Sequence, residues 1–241
     1  MAPRATDGHA VYEDRWSATD RVVRLRPHLW RHLEPQLRGA RILEIGPGLR
    51  PTAPLRGTVF LETSHHATAA LSRRGGLAIR GGDWQLPFRD GSFDAVLALE
   101  IIEHVEKDEE MLGEIGRILR PGGIAVISVP LHMSLWSAVD DHCHHVRRYE
   151  PGELVGRIER AGLVPEGHNS RPAAAKPVLA RFGTSLLDRF PKLSNWWLQN
   201  MVFPAQAVWQ RRVSRLRFRA MSEPVPGKAG GMMVVARRPG G

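Results

Sequence analysis

Short apolar runs recur along the chain, and most of them stop at a glycine, a proline or an acidic residue. Runs of a few aliphatic residues bounded by turn residues are typical of buried β-strands. The pattern predicts seven strands, at residues 41–45, 58–61, 77–79, 93–99, 124–129, 163–166 and 232–236. Six of these strands follow one another at short intervals, and a long segment separates the last from the rest.

Between these runs, apolar residues recur at intervals of three or four, the spacing of an amphipathic helix. This spacing predicts helices within residues 12–38, 66–74, 106–119 and 152–161. Because strands and helices alternate, we predict an α/β fold of the Rossmann-like type. The sheet is expected to be doubly wound, seven-stranded and mainly parallel, with helices on both faces.

The segment before the last strand is too long for a simple connection. It is therefore predicted to form a helical insertion. We divide the chain into an N-terminal helical cap (1–40), a ligand-binding core (41–170), a basic helical insertion or lid (171–228) and the last core strand with its tail (229–241).

The ends of the first two predicted strands carry residues suited to a nucleotide-like ligand. In a doubly wound sheet, ligands bind beyond the carboxyl ends of the strands. Glu44 is followed by Gly46 and Gly48, which allow a tight turn and a close backbone approach to a ligand. Glu62, at the end of the second strand, can accept hydrogen bonds from both hydroxyls of a ribose. An ordinary turn and a solvated acid are the alternative interpretations.

The first loop does not match a dinucleotide-binding fingerprint. That Gly-x-Gly-x-x-Gly pattern would require a glycine where Pro51 stands. The region of the third strand ends at Asp83 and Trp84, where a carboxylate can accept from an exocyclic amine and an indole can stack on a ring. Taken alone, the Asp83–Trp84 pair is a weak signal.

These strand ends and three later motifs resemble the class I S-adenosylmethionine (SAM)-dependent methyltransferases. The later motifs are Leu86–Asp94, Glu103-His104-Val105 and Arg117–Gly123. The resemblance is closest to the bacterial small-molecule branch, which is ubiquinone-biosynthesis-like. It covers about residues 12–170 and the final strand, and it implies that the core binds SAM as its cofactor.

The resemblance implies a role for each residue of the first two strand ends. Glu44, Gly46 and Gly48 would form the first SAM loop. Glu62 would bind the ribose.

Further cofactor contacts are implied at the third and fourth strands. Asp83 and the backbone of Trp84 would hold the adenine, and Leu99 and Glu100 would lie near the methionine moiety. The sequence departs from the family at Arg50, where a third glycine is usual, so the path of this loop is open.

A run after the fifth strand resembles the acceptor-side segment of the same branch. Arg147 or Arg148 can clamp an anion there, and Tyr149 can form a hydrogen bond or stack. The alternative is that the run locks its loop onto the sheet through salt bridges to Asp140 or Asp141.

Two histidines are candidate catalytic bases, because imidazole titrates near neutral pH. His104 follows the fourth strand, and His145 begins the acceptor-side run. A packing or capping role is the alternative for His104. The consecutive residues 142–145 contain three histidines and a cysteine, but structural metal sites use spaced pairs. We therefore predict no metal site.

Positive charge is concentrated in the last third of the chain. Residues 171–241 hold 13 Lys and Arg against two acidic residues, whereas the whole chain has a net charge of +9. Tryptophans and arginines share residues 195–219, which favours contact with an anionic membrane, testable by co-sedimentation with anionic vesicles. A packed lid is the alternative. Nucleic acid is not expected, since no recognised binding module is visible.

The sequence thus predicts a SAM-dependent methyltransferase acting on a small-molecule or lipid-linked acceptor. Two alternatives remain open. One is a nucleotide-dependent oxidoreductase, which the position of Pro51 weakens. The other is a non-catalytic SAM-fold binding protein, which Arg50 keeps open. Residues 1–16 carry several charges and no apolar run, so we expect a cytoplasmic protein that also contacts the membrane periphery if the basic segment binds lipid.

Overall fold

The structure, a computed structural model, describes residues 13, 16, 17, 19, 21–23, 26–82, 84–172, 201 and 216–240. Within these residues, eight strands form one sheet. They are β1 (Ile42–Ile45), β2 (Thr58–Glu62), β3 (Leu77–Arg80), β4 (Phe93–Leu99), β5 (Leu119–Pro130), β6 (Val164–Pro172), β7 (Arg219–Ala220) and β8 (Ala229–Arg237).

The order of the strands in the sheet is β3-β2-β1-β4-β5-β8-β6-β7. Neighbouring strands from β3 to β5 are parallel. β8 runs antiparallel to both β5 and β6, and β7 runs antiparallel to β6. The predicted mixed, mainly parallel α/β sheet is confirmed. The eighth strand is the two-residue β7, which the sequence pattern did not predict.

Helices precede the first strand and lie in several of the connections between strands. The α-helices with assigned bounds are α1 (Pro27–Leu33), α2 (His65–Arg73), α3 (Asp108–Ile118), α4 (Ala138–Cys143) and α5 (Pro151–Arg160). Short 3₁₀ turns cover Glu34–Gln36, Ile102–His104 and Met133–Leu135. α1 starts with a proline in its first turn, where the missing N–H costs no helical hydrogen bond.

The alternation of side chains along β4 shows that both faces of the sheet are covered. Val96 and Ala98 belong to a core cluster that includes α3 and α5. Ala95, Leu97 and Leu99 belong to a second cluster, which includes α1. Successive residues of a strand point to opposite faces, so a strand buried on both faces is apolar throughout. This arrangement confirms the predicted helices on both faces.

Most of the predicted insertion lies outside the described residues. Residues 173–200 and 202–215 include the three tryptophans and the first arginines of the basic segment, so the membrane contact stays a prediction. Among the residues that the structure does describe, no helix combines the length and the apolar character that crossing a bilayer requires.

The parallel strands bring their carboxyl ends to one edge of the sheet. The loops after β1, β2, β4 and β5 all emerge there. Most of the predicted site residues lie on these loops or at these strand ends. This edge is therefore where ligand chemistry is expected.

Candidate active site

The loop after β1 requires glycine at two positions. Gly46 and Gly48 have φ angles of 60° and 54°, a left-handed conformation that favours glycine. A Cβ on Gly46 would lie 2.2 Å from the side chain of Ile101. A Cβ on Gly48 would lie 2.0 Å from the ring of Trp16. Both the backbone conformation and the space around it exclude larger residues.

Glu44, at the end of β1, fixes the far end of this loop. Its buried carboxylate accepts hydrogen bonds from the backbone N–H groups of Thr52 (2.8 Å) and Ala53 (2.9 Å). Burial raises the pKa of Glu44 to about 7, against the lowering effect of these amides. The Glu44 side chain thus stabilises the conformation of the loop.

Glu62, at the end of β2, fixes the near end of the loop. Its carboxylate accepts from the N–H of Gly48 (2.8 Å) and from the N–H of Ser64 (3.0 Å). The hydroxyl of Thr63 also donates to it, at 3.3 Å. Burial raises the pKa of Glu62. A carboxylate has about four acceptor positions, so Glu62 retains roughly one for a ligand.

The N-terminal segment covers the loop. Trp16 lies against Gly48, and the guanidinium of Arg50 lies 5.2 Å from the centre of its ring. Glu13 anchors the segment by accepting a 2.8 Å hydrogen bond from the hydroxyl of Ser64. Where the family usually has a third glycine, this chain therefore has a side chain that stacks on a covering tryptophan.

The two residues predicted to hold an adenine have different outcomes. Asp83 lies outside the described residues. Trp84 is half-buried, and the ammonium of Lys107 lies 4.1 Å from the centre of its ring. A cation at this distance from an indole is a favourable pairing.

Glu100 follows Leu99 at the carboxyl end of β4 and is held by charge. Its side chain accepts from the hydroxyl of Ser128 (2.8 Å) and from the guanidinium of Arg171 (2.6 Å). Burial would raise its pKa, but the charges of Arg171 and then Arg26 lower it to about 2. Glu100 is therefore an anion with defined partners. Its φ of 59° shows that the chain turns sharply at this point.

The second part of the site is a cluster on the loops after β4 and β5. His145 shares a hydrogen bond of 2.8 Å between its Nδ1 and a carboxylate oxygen of buried Asp140. Its Nε2 lies 3.9 Å from a carboxylate oxygen of Glu103. The ring of His104 packs edge-on against that of His145, with 4.7 Å between ring centres. The two predicted catalytic histidines are therefore neighbours.

Glu103 was not among the predicted site residues, although it lies at the centre of this cluster. It is 0% exposed, and neither carboxylate oxygen has a hydrogen-bond partner among the described residues. Burial, and next the negative charge of Glu100, raises the pKa of Glu103 well above its usual value. The sequence signal that could have identified it is a carboxylate directly after a strand buried on both faces.

The three predicted substrate residues are engaged within the protein. Arg148 binds both carboxylate oxygens of Asp140, at 2.8 and 2.9 Å. Arg147 lies 2.9 Å from a carboxylate oxygen of Asp108. Tyr149 is fully buried, and its hydroxyl donates to Asp108 at 2.7 Å. The Arg148–Asp140 pair matches the alternative interpretation, in which salt bridges to Asp140 or Asp141 lock the loop, whereas Arg147 and Tyr149 bind Asp108 on α3 instead.

Comparisons with known proteins place this geometry in context. A model of the methyltransferase domain family matches residues 45–127. A protein of Mycolicibacterium smegmatis described as "Probable S-adenosylmethionine-dependent methyltransferase" is 29% identical over 166 residues, which cover 64% of this chain and 61% of the relative. The 27-O-demethylrifamycin SV methyltransferase of Amycolatopsis mediterranei is 28% identical over 163 residues, or 64% of this chain and 56% of that protein. The chain thus spans about three fifths of the length of these relatives.

A solved structure shows the same fold. A SAM-dependent methyltransferase from Thermotoga maritima superposes with a TM-score of 0.59 at 17% identity, over 95% of this chain and 91% of the other. The family match favours methyl transfer over the oxidoreductase chemistry that the sequence had left open. The strand order and these similarities show that the chain has the fold of the SAM-dependent methyltransferases and that residues 45–127 match the methyltransferase domain family, which supports SAM as the cofactor.

Proposed function

We propose that this protein transfers the methyl group of SAM to a hydroxyl oxygen of a small-molecule or lipid-linked acceptor. The observation that carries the proposal is His145, held by Asp140 at the edge of the sheet where the β1 loop also lies. A hydroxyl loses its proton as its oxygen attacks, and a neutral imidazole can accept that proton. The rifamycin relative, by its name, also methylates an oxygen.

The residues around the glycine loop fit an adenosine-type cofactor. Gly46 and Gly48 form a turn that has no room for side chains, and Glu62 retains acceptor capacity for a ribose hydroxyl. We assign Asp83 and the Trp84 backbone to the adenine on the family resemblance. We assign the β4 end, Leu99 and Glu100, to the methionine moiety on the same basis. When bound, SAM supplies a methyl group already activated by its sulfonium.

The proton would go to a single atom. Because Nδ1 of His145 shares its hydrogen bond with the Asp140 carboxylate, its proton stays on that nitrogen and Nε2 carries the lone pair. Arg148 binds the same carboxylate and so fixes the orientation of the pair. A preorganised base of this kind removes the need to reorient the loop during the reaction.

The acceptor branch is part of the proposal. The run from His145 to Tyr149 resembles the bacterial small-molecule branch, which is ubiquinone-biosynthesis-like. A lipid-linked acceptor of that kind would also account for the positive charge of residues 171–241, since an anionic surface would bring enzyme and substrate together.

The test separates cofactor binding from turnover. Calorimetric titration should show binding of SAM and S-adenosylhomocysteine and none of NADH. A mass-spectrometric screen of phenols and alcohols with deuterium-labelled SAM should then reveal a labelled O-methyl product. His145→Gln should lower kcat about 10² to 10⁴-fold and leave the Kd for SAM within about twofold.

The matched control is His132→Gln, which removes a histidine paired with Glu150 outside the cluster. That variant should keep the wild-type rate. Methyl transfer to carbon or nitrogen, or full activity in His145→Gln, would overturn the proposal. Binding of SAM with no product across the screen would instead favour a non-catalytic SAM-binding protein.

A further inference from the structure

We propose that the free edge of β3 is a docking site for an acidic, extended segment of a partner protein, which adds to the sheet as a further strand. β3 is the first strand in the order of the sheet, and among the described strands its one neighbour is β2. The outer side of such a strand presents backbone N–H and C=O groups that another chain can pair with. Strand addition of this kind is a recurring mode of peptide recognition.

The ladder with β2 shows which backbone groups face the free side. The N–H of Gly81 donates to the carbonyl oxygen of Glu62 on β2, at 3.0 Å. Successive residues of a strand direct their backbone groups to opposite sides, so the N–H and C=O of Ala78 and Arg80 point to the free edge. No hydrogen bond from the described residues reaches these groups. They are therefore available for a second ladder.

Two apolar side chains lie exposed along this edge. Leu77 is 62% exposed and Ile79 is 36% exposed. Their register partners on β2 are Val59 and Leu61, which contribute to the core cluster that includes α3. Since Leu77 and Ile79 are two residues apart, they share one face of the sheet. The apolar face thus continues from the core to the edge, where a partner strand with alternating apolar residues would pack beside it.

β3 lacks most of the features that protect edge strands from pairing. Such edges commonly carry a bulge, a proline or a charged side chain. β3 has no proline, and its register with β2 is unbroken. Nε of Arg80 donates to the carbonyl oxygen of Thr63 at 3.3 Å, so this side chain turns back toward β2. Glycine pairs at 75–76 and 81–82 flank the strand, and they carry no side chains that would obstruct a longer partner.

The charge around the edge favours an acidic partner. Residues 63–82 contain three arginines and no acidic residue. Arg56 joins them from the loop before β2, because a Cβ on Gly75 would lie 3.8 Å from its Nε. The side chains of Arg56 and Arg74 are exposed. A second copy of this chain would bring these like charges together, whereas an acidic segment complements them.

The experiment measures the binding of three short fluorescent peptides to the full chain. The first alternates valine with glutamate, and the second has lysine in place of each glutamate. The third keeps the glutamates but is methylated on its backbone nitrogens, so it cannot donate to a ladder. Fluorescence anisotropy at low ionic strength should show that the first peptide binds at least about tenfold more tightly than either of the others.

Variants of the edge test the same contact from the side of the protein. Ala78→Pro removes an N–H that points away from β2, so the fold should be kept while the acidic peptide binds more than about tenfold more weakly. Leu77→Ser, at an exposed position, gives a second variant and should weaken binding about threefold. Arg74→Glu should weaken it about two- to fivefold. The matched control is Arg217→Glu, beside β7 at the opposite edge of the sheet, which should leave the affinity unchanged.

Hydrogen exchange locates the contact, because the amides of Ala78 and Arg80 should exchange more slowly once the acidic peptide is bound. Absence of binding, or unchanged exchange at these amides, would overturn the proposal. Equal binding of the methylated peptide would reduce it to charge attraction without a ladder and so would also overturn it. A dimer in sedimentation that Ala78→Pro dissociates would assign the edge to a second copy instead. SAM binding and methyl transfer are measured separately, so none of these results alters the proposed function.

Discussion

The chain buries glutamates of two kinds at the reactive edge of its sheet. Glu44 and Glu62 are satisfied by backbone N–H groups, which hold the glycine loop in shape. Glu103 is equally buried, yet its oxygens have no hydrogen-bond partner in the described part of the chain. Glu44 and Glu62 thus stabilise the loop conformation, whereas the carboxyl oxygens of the equally buried Glu103 make no hydrogen bond to the described residues. A buried acid without hydrogen-bond partners is most simply explained by a bound ligand that supplies the missing partners.

The largest expected effect is a difference in sign between the two kinds. Glu103→Met should leave the free energy of unfolding unchanged or raise it by about 1 to 3 kcal/mol, because it removes an unsatisfied buried acid. Denaturant unfolding measures this quantity.

The matched substitution is Glu44→Met. It should lower the free energy of unfolding by about 1 to 3 kcal/mol for each amide left unpaired. If both variants lose stability to the same degree, the distinction between the two kinds of glutamate is wrong.

A second prediction concerns the cofactor side of the comparison. Glu62→Ala should weaken SAM binding by about 1 to 3 kcal/mol, because the Gly48 N–H loses its acceptor and, under the proposed function, so does a ribose hydroxyl. Calorimetry provides the measurement. Glu166→Ala breaks an ion pair with Arg237 at the other edge of the sheet and should leave the affinity unchanged. An unaltered Kd in Glu62→Ala would remove this residue from the cofactor site.

The smallest expected effect lies beneath the acceptor side. Tyr149→Phe should lower stability by about 0.5 to 1.5 kcal/mol, the net value of one buried hydrogen bond to Asp108. Activity per folded molecule and SAM affinity should be retained, because the hydroxyl lies in the core. A large fall in kcat with unchanged melting temperature would instead place Tyr149 at the substrate.

The glycine turn after β1 could be predicted because its signal is local. Gly46 and Gly48 stand directly after an apolar strand, and their conformations follow from their position in the turn. The second strand end carries Glu62 in the same way. Each of these features lies within a few residues of a recognisable strand.

The cluster around Glu103 could not be predicted from local pattern. It needs the loop after β5 to fold back, with Leu131 bridged to Tyr149, so that His145 reaches the end of β4. The partners of Arg147 and Tyr149 were missed for the same reason, because Asp108 lies on α3. Such pairings depend on tertiary packing, which the spacing of apolar residues does not encode.

The ion pair between Arg171 and Glu100 has a consequence for the long segment that follows β6. Arg171 passes over Gly231, where a Cβ would lie 2.4 Å from its Nε, and so ties the start of that segment to the end of β4. The chain returns beside β6, since the side chain of Asn169 on that strand donates to the carbonyl of Arg217 at 2.8 Å. A connection that leaves and re-enters at adjacent points can change its length and composition at little entropic cost to the sheet. A change in the length of this segment should therefore leave the sheet edge at Glu100 intact.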